Sequence, residues 1–216
     1  MTLAGGLTDA RIDRYSRQII LPEVGGHGQE RLLAARVVLA GNDEAAQSAA
    51  TLIARAGVGA LDLVAGPATL PELSPDCHLT RHATGAALPD AAVVIDLTGR
   101  PESAAALGRH AAAAGRPFVV GVGSGSRGVV VTAVARPCGA CLPPGTLALG
   151  DTVAATPALA ASLALALGSL AAAEALGLLL GAPNAGRASH LDVATGASVA
   201  LPLPRSAGCG LCRDAA

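Results

Sequence analysis

Residues 36–65 read RVVLAGNDEAAQSAATLIARAGVGALDLVA, and this stretch decides the fold. Residues 36–40 form a short apolar run with two valines, which is typical of a buried parallel strand. Residues 44–56 have high helix propensity, and Gly57 can end that helix. Residues 60–65 (ALDLVA) are the next predicted strand. A strand, a helix and a strand within about 30 residues predict a right-handed βαβ unit.

The chain outside this unit continues to alternate strand and helix patterns. We expect strands at 91–96, 117–122, 128–135, 189–192 and 197–203, and helices at 11–18, 29–35 and 103–114. Only a Gly/Ser turn separates 117–122 from 128–135, so these strands are predicted to form an antiparallel hairpin. The stretch 67–89 is rich in proline and polar residues and is predicted to be irregular. The fold class is therefore α/β, with a Rossmann-like, mostly parallel sheet flanked by helices and an antiparallel C-terminal part.

Charge and composition exclude several partner classes. The 216 residues carry a net charge of −1, so no general attraction to nucleic acid or anionic membranes is expected. Tyr15 and Phe118 are the only aromatic residues, which leaves little surface for stacking bases. The length suits one α/β domain with a sizeable core. We therefore expect one domain over residues 1–216 and no nucleic-acid partner.

The longest apolar stretch, residues 157–181, is long enough to span a bilayer. It contains Ser162, Ser169 and Glu174, however, and much of its apolar character comes from alanine. We interpret it as a buried packing helix and expect no membrane partner. The N-terminus lacks a basic segment followed by an apolar run, which is the pattern of a signal peptide. A cytoplasmic location is therefore expected.

Four of the five cysteines form two Cys-x-x-Cys pairs, Cys138 with Cys141 and Cys209 with Cys212. Two such pairs are a strong signal for tetrahedral Zn²⁺, and four thiolates leave no open position for water. The sequence therefore predicts a structural zinc site that staples the C-terminal tail to the body. Disulfides and redox-active dithiols are the alternatives, and the lack of a secretory signal disfavours disulfides. Cys77 stands apart and is either a nucleophile or a small buried apolar group.

Several motifs resemble the ThiF/MoeB/HesA family of E1-like adenylyltransferases, and the resemblance covers almost the full chain. They are RYSRQIILP at 14–22 with GQERL at 28–32, RVVLAG at 36–41 with AGVG at 56–59, VIDLT at 94–98, and GSLAAAEA at 168–175. The two cysteine pairs lie where the family has its zinc ligands. The resemblance implies a dimerisation arm at 1–35, a Rossmann-like core at 36–135 and a zinc-stapled part at 136–216.

Members of that family bind Mg-ATP and adenylate the C-terminal Gly-Gly of a small ubiquitin-like protein, such as a ThiS-like or MoaD-like sulfur carrier. The resemblance therefore implies a carrier of that kind as a partner. Arg17 matches the family's arginine that reaches into the partner subunit's ATP site, which implies a homodimer or a heterodimer with an active paralogue. A surface charge in a dimer interface is the alternative role for Arg17.

The chain departs from the family pattern at the ATP site. Gly41 alone matches the family's G-x-G-x-x-G turn, and Asp43 and Glu44 would repel a triphosphate there. Ala65 stands where an acidic residue should hold the ribose, and Gly99 stands where an aspartate should hold Mg²⁺. The family's phosphate-binding lysine is missing because the chain contains no lysine. The sequence therefore predicts weak or absent binding of ATP and Mg²⁺, and it identifies no catalytic residue.

Three functions remain open at this point. The first is a protein with impaired or absent adenylation that acts as a dimeric partner or scaffold, in which Asn42 or Asp43 is simply a helix N-cap. The second is an active adenylyltransferase of a ThiS-like or MoaD-like protein. The third is an enzyme with a repurposed pocket, for which Ser124, Ser126 and Arg127 in the loop 121–128 would bind an anion.

Overall fold

In a computed structural model of the protein, residues 6–67, 69–71, 73–142, 147–149, 154–182, 186–204, 206 and 208–212 are described. The strands are β1 Arg36–Ala40, β2 Ala60–Val64, β3 His78–His82, β4 Val93–Asp96, β5 Phe118–Ser124, β6 Arg127–Ala133, β7 Arg187–Asp192 and β8 Ala197–Pro202. The α-helices are α1 Asp9–Ile19, α2 Gly25–Ala34, α3 Glu44–Arg55, α4 Pro101–Ala113 and α5 Pro157–Leu180. A 3₁₀ turn spans Gly139–Cys141.

The strands form one eight-stranded sheet in the order β3-β2-β1-β4-β5-β6-β7-β8. The first five strands in this order pair in parallel, whereas β5 to β8 pair antiparallel. The predicted fold class and the predicted hairpin between the fifth and sixth strands are confirmed. The direction of the chain across the sheet reverses between β1 and β4, and ligands of such sheets bind at this switch point.

Helices cover the sheet on both faces because the central strands are buried on both sides. In β1, Val37 and Leu39 pack toward α3 and α5, while Val38 and Ala40 belong to the core on the side of α4. Alternate side chains of a strand point to opposite faces, so two apolar faces give the continuous apolar run seen in the sequence. The βαβ unit predicted from residues 36–65 is therefore present, with strand and helix ends within a residue of those expected.

Helix α5 packs in the core, as predicted. Among the described residues it is the one helix long and apolar enough to cross a membrane by length and composition. Its inner face is buried against the sheet and against α3, however, where Leu167 and Ala171 join the main core. A Cβ at Gly168 would lie 2.3 Å from the carbonyl oxygen of Ala45, so α3 and α5 touch at their backbones.

The prediction that residues 67–89 are irregular is wrong for His78–His82, which form β3. This strand is HLTRH, and none of its five residues is fully buried. It lies at the edge of the sheet, where burial does not demand an apolar sequence. The described residues between β2 and β3 contain no helix, although a parallel connection usually has one.

Helix α1 is held to the segment before β3 by one carboxylate. Asp76 accepts hydrogen bonds from Arg11 Nε at 2.9 Å and from the Tyr15 hydroxyl at 3.0 Å, and it also pairs with Arg14. Burial raises the pKa of Asp76, but the hydrogen bonds from Arg11 and Tyr15 and the charge of Arg14 outweigh it, so the net pKa is lowered. We refer to these four residues as the Asp76 clamp.

We expect Asp76→Asn to loosen α1 and to lower the free energy of unfolding by about 1–2 kcal/mol at pH 7, because three charge-assisted contacts are lost. A carboxyl whose folded pKa is lowered stabilises the fold above its unfolded pKa and loses that contribution as the pH falls through the folded pKa. Wild type should therefore lose this difference below about pH 4. Urea unfolding at pH 7 and pH 3 checks this, and a pH-independent difference between the two proteins would contradict it.

Candidate functional site

A cavity of about 400 Å³ opens at the carboxyl edge of the parallel strands. Its walls include residues directly after β1 and β2, the turn after β4, and the first two turns of α4. This is the switch point of the sheet, where a Rossmann-like fold binds its nucleotide. Arg100 and Glu102 line it as well, and neither residue was identified from the sequence. They line the cavity because α4 begins beside it, and no local sequence motif indicates that position.

The turn after β1 is built to cap α3. Gly41 has a φ of +137°, and a Cβ there would lie 2.9 Å from the carbonyl oxygen of Leu97, so a side chain does not fit. Asp43 is the N-cap of α3, and its Oδ1 accepts a hydrogen bond from the backbone N–H of Ala46 at 3.0 Å. Of the two N-cap candidates, Asn42 and Asp43, the structure thus selects Asp43. Glu44 adds a second carboxylate in the first turn.

These two carboxylates lie at the N-terminus of α3, directly after Gly41 and Asn42, which line the cavity. Helix N-termini bind phosphates through free N–H groups and the positive end of the dipole. Here Asp43 already takes one of those N–H groups, and Asp43 and Glu44 together supply negative charge at this end of α3. This end of α3 therefore has one N–H group fewer to offer an anion and carries two negative charges.

The ribose and Mg²⁺ positions also lack the expected ligands. Ala65 follows β2 with a φ of +49° and carries no acidic group. Gly99 has no neighbouring atom within 4 Å of where a Cβ would be. The nearby Asp96 is 1% exposed, and its Oδ1 accepts a hydrogen bond from the N–H of Thr98 at 2.8 Å, so it stabilises the turn after β4. The carboxylates that the resemblance leads one to expect are thus missing at Ala65 and Gly99.

Asp96 is nonetheless an unusual buried group. Its Oδ2 has no hydrogen-bond partner among the described residues. Burial raises the pKa of Asp96, although the Thr98 and Ser103 hydroxyls and the Thr98 N–H oppose this. Ser103 and Thr98 line the cavity. The carboxyl group therefore lies just behind the cavity wall.

The loop at 121–128 does not offer the free groups that an anion site needs. The hydroxyl of Ser126 donates to Asp192 Oδ1 at 2.9 Å, and Arg127 Nε donates to Asp192 Oδ2 at 3.2 Å. The hydrogen bond from Ser126 is the main reason that the pKa of Asp192 is lowered. The carboxylate of Asp192 thus already binds the groups that an anion would need. The loop therefore acts as the turn of the β5–β6 hairpin.

The two cysteine pairs converge on one buried cluster. Cys138 precedes the 3₁₀ turn after β6 and Cys141 is its last residue, and Cys209 and Cys212 follow β8. The Sγ–Sγ distances are 3.8 Å for Cys138–Cys141, 3.6 Å for Cys138–Cys209 and 3.3 Å for Cys141–Cys212. Four thiolates about 2.3 Å from a tetrahedral Zn²⁺ lie about 3.8 Å apart, whereas a disulfide is about 2.05 Å long. The cluster could therefore hold a metal ion, and its geometry suits zinc rather than disulfides.

Local backbone groups prepare one cysteine for metal binding. Hydrogen bonds from the backbone N–H groups of Leu211 and Cys212 stabilise the Cys209 thiolate. They are the main reason that the pKa of Cys209 is lowered to about 6. A thiolate is the form that binds a metal, so this turn favours the ligand state of Cys209.

Cys77 is half-buried and packs beside the main core. Burial raises the pKa of its thiol to about 11. A thiol with such a pKa is neutral at pH 7 and is a poor nucleophile. Of the two roles expected for Cys77, the structure favours the small apolar group.

Arg17 lies on the exposed face of α1, in the last turn of that helix. It makes no hydrogen bond or ion pair with the described residues. Ile20 and Leu21, three and four residues further along the chain, are 76% and 47% exposed. The structure therefore leaves Arg17 available to a second molecule.

No protein-family model matches the chain. The sulfur carrier protein ThiS adenylyltransferase of Escherichia coli is 28% identical over 244 residues, which cover 95% of this chain and 97% of that protein. The SAMP-activating enzyme E1 of Haloferax volcanii is 47% identical over 64 residues, 30% of this chain and 23% of that protein. The vegetative HesA protein of Trichormus variabilis is 47% identical over 60 residues. In several of the curated relatives, the match spans only 12% to 23% of their length.

Solved structures show the same fold. Escherichia coli MccB with MccA-N7isoASN has a TM-score of 0.67 at 12% identity, covering 97% of this chain and 76% of that chain. PaaA has a TM-score of 0.64 at 14% identity, covering 91% of this chain and 75% of that chain. Together with the sequence matches, this confirms the predicted resemblance to ThiF/MoeB/HesA-type adenylyltransferases.

Proposed function

Starting from the resemblance to ThiF/MoeB/HesA-type adenylyltransferases, we propose that this chain is a divergent E1-like protein with impaired or absent ATP-dependent adenylation. It acts as a cytoplasmic dimeric partner or scaffold, as a homodimer or together with an active paralogue. Zn²⁺ on the four-cysteine cluster is structural, and it joins the part at 136–216 to the Rossmann-like core at 36–135. The N-terminal arm at 1–35 provides the dimer contacts.

The observation that carries this proposal is the occupied N-terminus of α3. Asp43 caps the helix through the N–H of Ala46, and Glu44 adds a second negative charge. A triphosphate placed there would lose a hydrogen-bond donor and meet two carboxylates. Losing a single donor to a developing charge costs a catalytic site about 10²–10³ in rate. The lack of any lysine and of a carboxylate at Gly99 removes further stabilising charge.

We expect isothermal titration calorimetry with Mg-ATP to give no binding tighter than a Kd of about 1 mM. The Escherichia coli ThiS adenylyltransferase, measured under the same conditions, is the positive control. A second titration after Asp43→Gly and Gly99→Asp are combined tests whether these positions are responsible. Micromolar affinity of the wild-type chain would overturn the proposal and favour an active adenylyltransferase.

The proposed partner protein is inferred from the names of the relatives and not from any residue of the cavity. One relative is named for its action on the sulfur carrier protein ThiS. We propose that a small carrier with a Gly-Gly tail is a partner of this chain too. A pull-down from the native host with mass spectrometry tests this: a small Gly-Gly-tailed protein supports the carrier, and an intact paralogue supports the heterodimer.

A further inference from the structure

The cavity at the carboxyl edge of the sheet has an apolar interior. Val64, at the end of β2, is buried, and Leu88 and Leu107 are half-buried and pack against the same core on the side of α4. Walls of this kind bind aliphatic groups because both surfaces leave water. A volume of about 400 Å³ is at the small end of the range for ligand cavities. The interior therefore suits a small molecule with an aliphatic part.

The floor of the cavity contains a carboxyl group. Ala40 of β1 is the register partner of Val64 in β2 and of Asp96 in β4, so these three side chains point to one face of the sheet. Ala40 and Val64 line the cavity, which places Asp96 in the same row. Oδ2 of this buried carboxyl group has no hydrogen-bond partner among the described residues. Because an unpaired buried acceptor is costly, a ligand that donates a hydrogen bond here is favoured.

Two exposed residues of opposite charge lie at the rim of the cavity. Arg100 and Glu102 both line it, and neither side chain makes a hydrogen bond or an ion pair with another described residue. They stand at the start of α4 and are two residues apart, a spacing at which side chains on a helix do not face each other. A rim with one cation and one anion suits a ligand that carries both charges.

The N-terminus of α4 offers N–H groups to an anion, in contrast to the capped N-terminus of α3. The N-cap of α4 is Arg100, no side chain caps the helix there, and Pro101 has no N–H group. The first N–H groups of a helix have no partner within it, so those of Glu102 and Ser103 can donate to a ligand. A single carboxylate would meet these N–H groups, the positive end of the helix and the Arg100 guanidinium.

Two carboxyl groups can bind the opposite charge. The negative charge of Glu102 contributes to the raised pKa of Asp96, so the two groups lie close enough to repel each other. The hydroxyls of Thr98 and Ser103 lie beside Asp96, and both residues line the cavity. An ammonium group has three N–H donors and no acceptor. It would pair with these oxygen atoms and remove the repulsion between the carboxyl groups.

We propose that the cavity binds a free α-amino acid with an aliphatic side chain. Its carboxylate pairs with Arg100 at the N-terminus of α4, and its ammonium group lies between Glu102 and Asp96. Its side chain packs on Leu88 and Leu107. The inference rests on the proposed function, because a bound nucleotide would fill the same cavity. It also goes beyond that function, because this ligand needs neither Mg²⁺ nor a triphosphate site.

A ligand-observed NMR titration of the full-length protein with L-leucine tests the proposal. We expect a Kd of about 100 μM or tighter. Two analogues each lack one charged group: 4-methylpentanoate has no ammonium group, and 3-methylbutylamine has no carboxylate. Each should bind at least about 10-fold more weakly than L-leucine, because one charge-assisted contact is lost. L-Glutamate should also bind at least about 10-fold more weakly, because its side chain would place a charge in the apolar interior.

Two variants assign the charged contacts to single residues. Arg100→Gln should weaken L-leucine binding at least about 10-fold without weakening 3-methylbutylamine binding. Glu102→Gln should weaken L-leucine binding by a similar factor without weakening 4-methylpentanoate binding. A purely structural role for either residue would weaken all three ligands together. Arg109→Gln and Glu23→Gln change the same charges outside the cavity, and both should bind L-leucine as wild type does.

The outcomes distinguish this inference from the proposed function. No L-leucine binding up to about 10 mM, or binding that neither variant changes, overturns the inference. The analogue series on wild type keeps the test valid if a variant unfolds, which circular dichroism reports. Micromolar Mg-ATP binding by a chain that also binds L-leucine would overturn the proposed function alone. A chain that binds neither ligand would overturn the inference alone.

Discussion

Replacing Cys209 by serine should release the metal from the four-cysteine cluster and lower the stability of the protein by about 4 kcal/mol, the value expected when free metal exceeds its Kd by about 1,000-fold. For a chain of this size that corresponds to a melting temperature lower by roughly 10 °C. The physical reason is that Cys209 closes the cluster from the C-terminal tail, 3.6 Å from Cys138. Differential scanning calorimetry and metal analysis of the purified variant check this result.

Cys77→Ser is the matched control, because Cys77 is a half-buried thiol outside the cluster. It should leave the metal content unchanged. Acidification provides a second readout. A cysteine thiol must lose its proton to bind a metal, so zinc should dissociate as the pH falls. A wild-type protein that is purified without metal, or a C209S variant that keeps one zinc per chain, would contradict the structural zinc site.

Gly59→Ala should destabilise the protein by about 3 kcal/mol, at the upper end of the cost of overpacking. A Cβ at position 59 would lie 1.9 Å from the carbonyl oxygen of Leu33, in the last turn of α2. That carbonyl has little room to move, because Leu32 and Leu33 are 1% and 3% exposed and the N–H of Gly59 donates to the Leu32 oxygen. The glycine thus lets the arm approach the central strands.

Gly26→Ala is the comparison for this glycine. Position 26 lies in α2, and a Cβ there would meet only Leu7 Cδ1, at an ordinary 3.6 Å. Its free energy of unfolding should stay within about 0.5 kcal/mol of wild type. Chemical denaturation of both variants decides the matter, and equal stabilities for G59A and G26A would show that α2 moves aside freely.

The sequence predicts the central part of this fold well because burial there imposes an apolar pattern. Strands β1 and β2 are buried on both faces, so their apolar runs begin and end where the strands do. Strand β3 lies at an edge with exposed His78 and Arg81, and nothing in its local pattern distinguishes it from a loop. Its existence depends on pairing with β2, which is a long-range property.

The candidate sites likewise contain features that the local sequence predicts and features that depend on long-range contacts. The spacing within each Cys-x-x-Cys pair predicts that its two thiolates bind one metal ion. The structure then brings the two pairs together. The cap of α3 is a local feature, which the sequence predicts at Asn42 or Asp43 and the structure has at Asp43. The Asp76 clamp joins residues that are far apart in the chain. Such contacts exist only once the sheet has formed.

The distance along the chain between the two cysteine pairs affects how the protein is made. Cys138 and Cys209 are 71 residues apart, and β7 and β8 lie between them. At about 5–20 residues per second, a ribosome needs about 4–14 s to synthesise that interval. During this time the nascent chain carries Cys138 and Cys141 as an open dithiol, which thiol-reactive oxidants can attack before the second pair arrives. Yield in the cell should therefore depend on metal supply and redox state during translation.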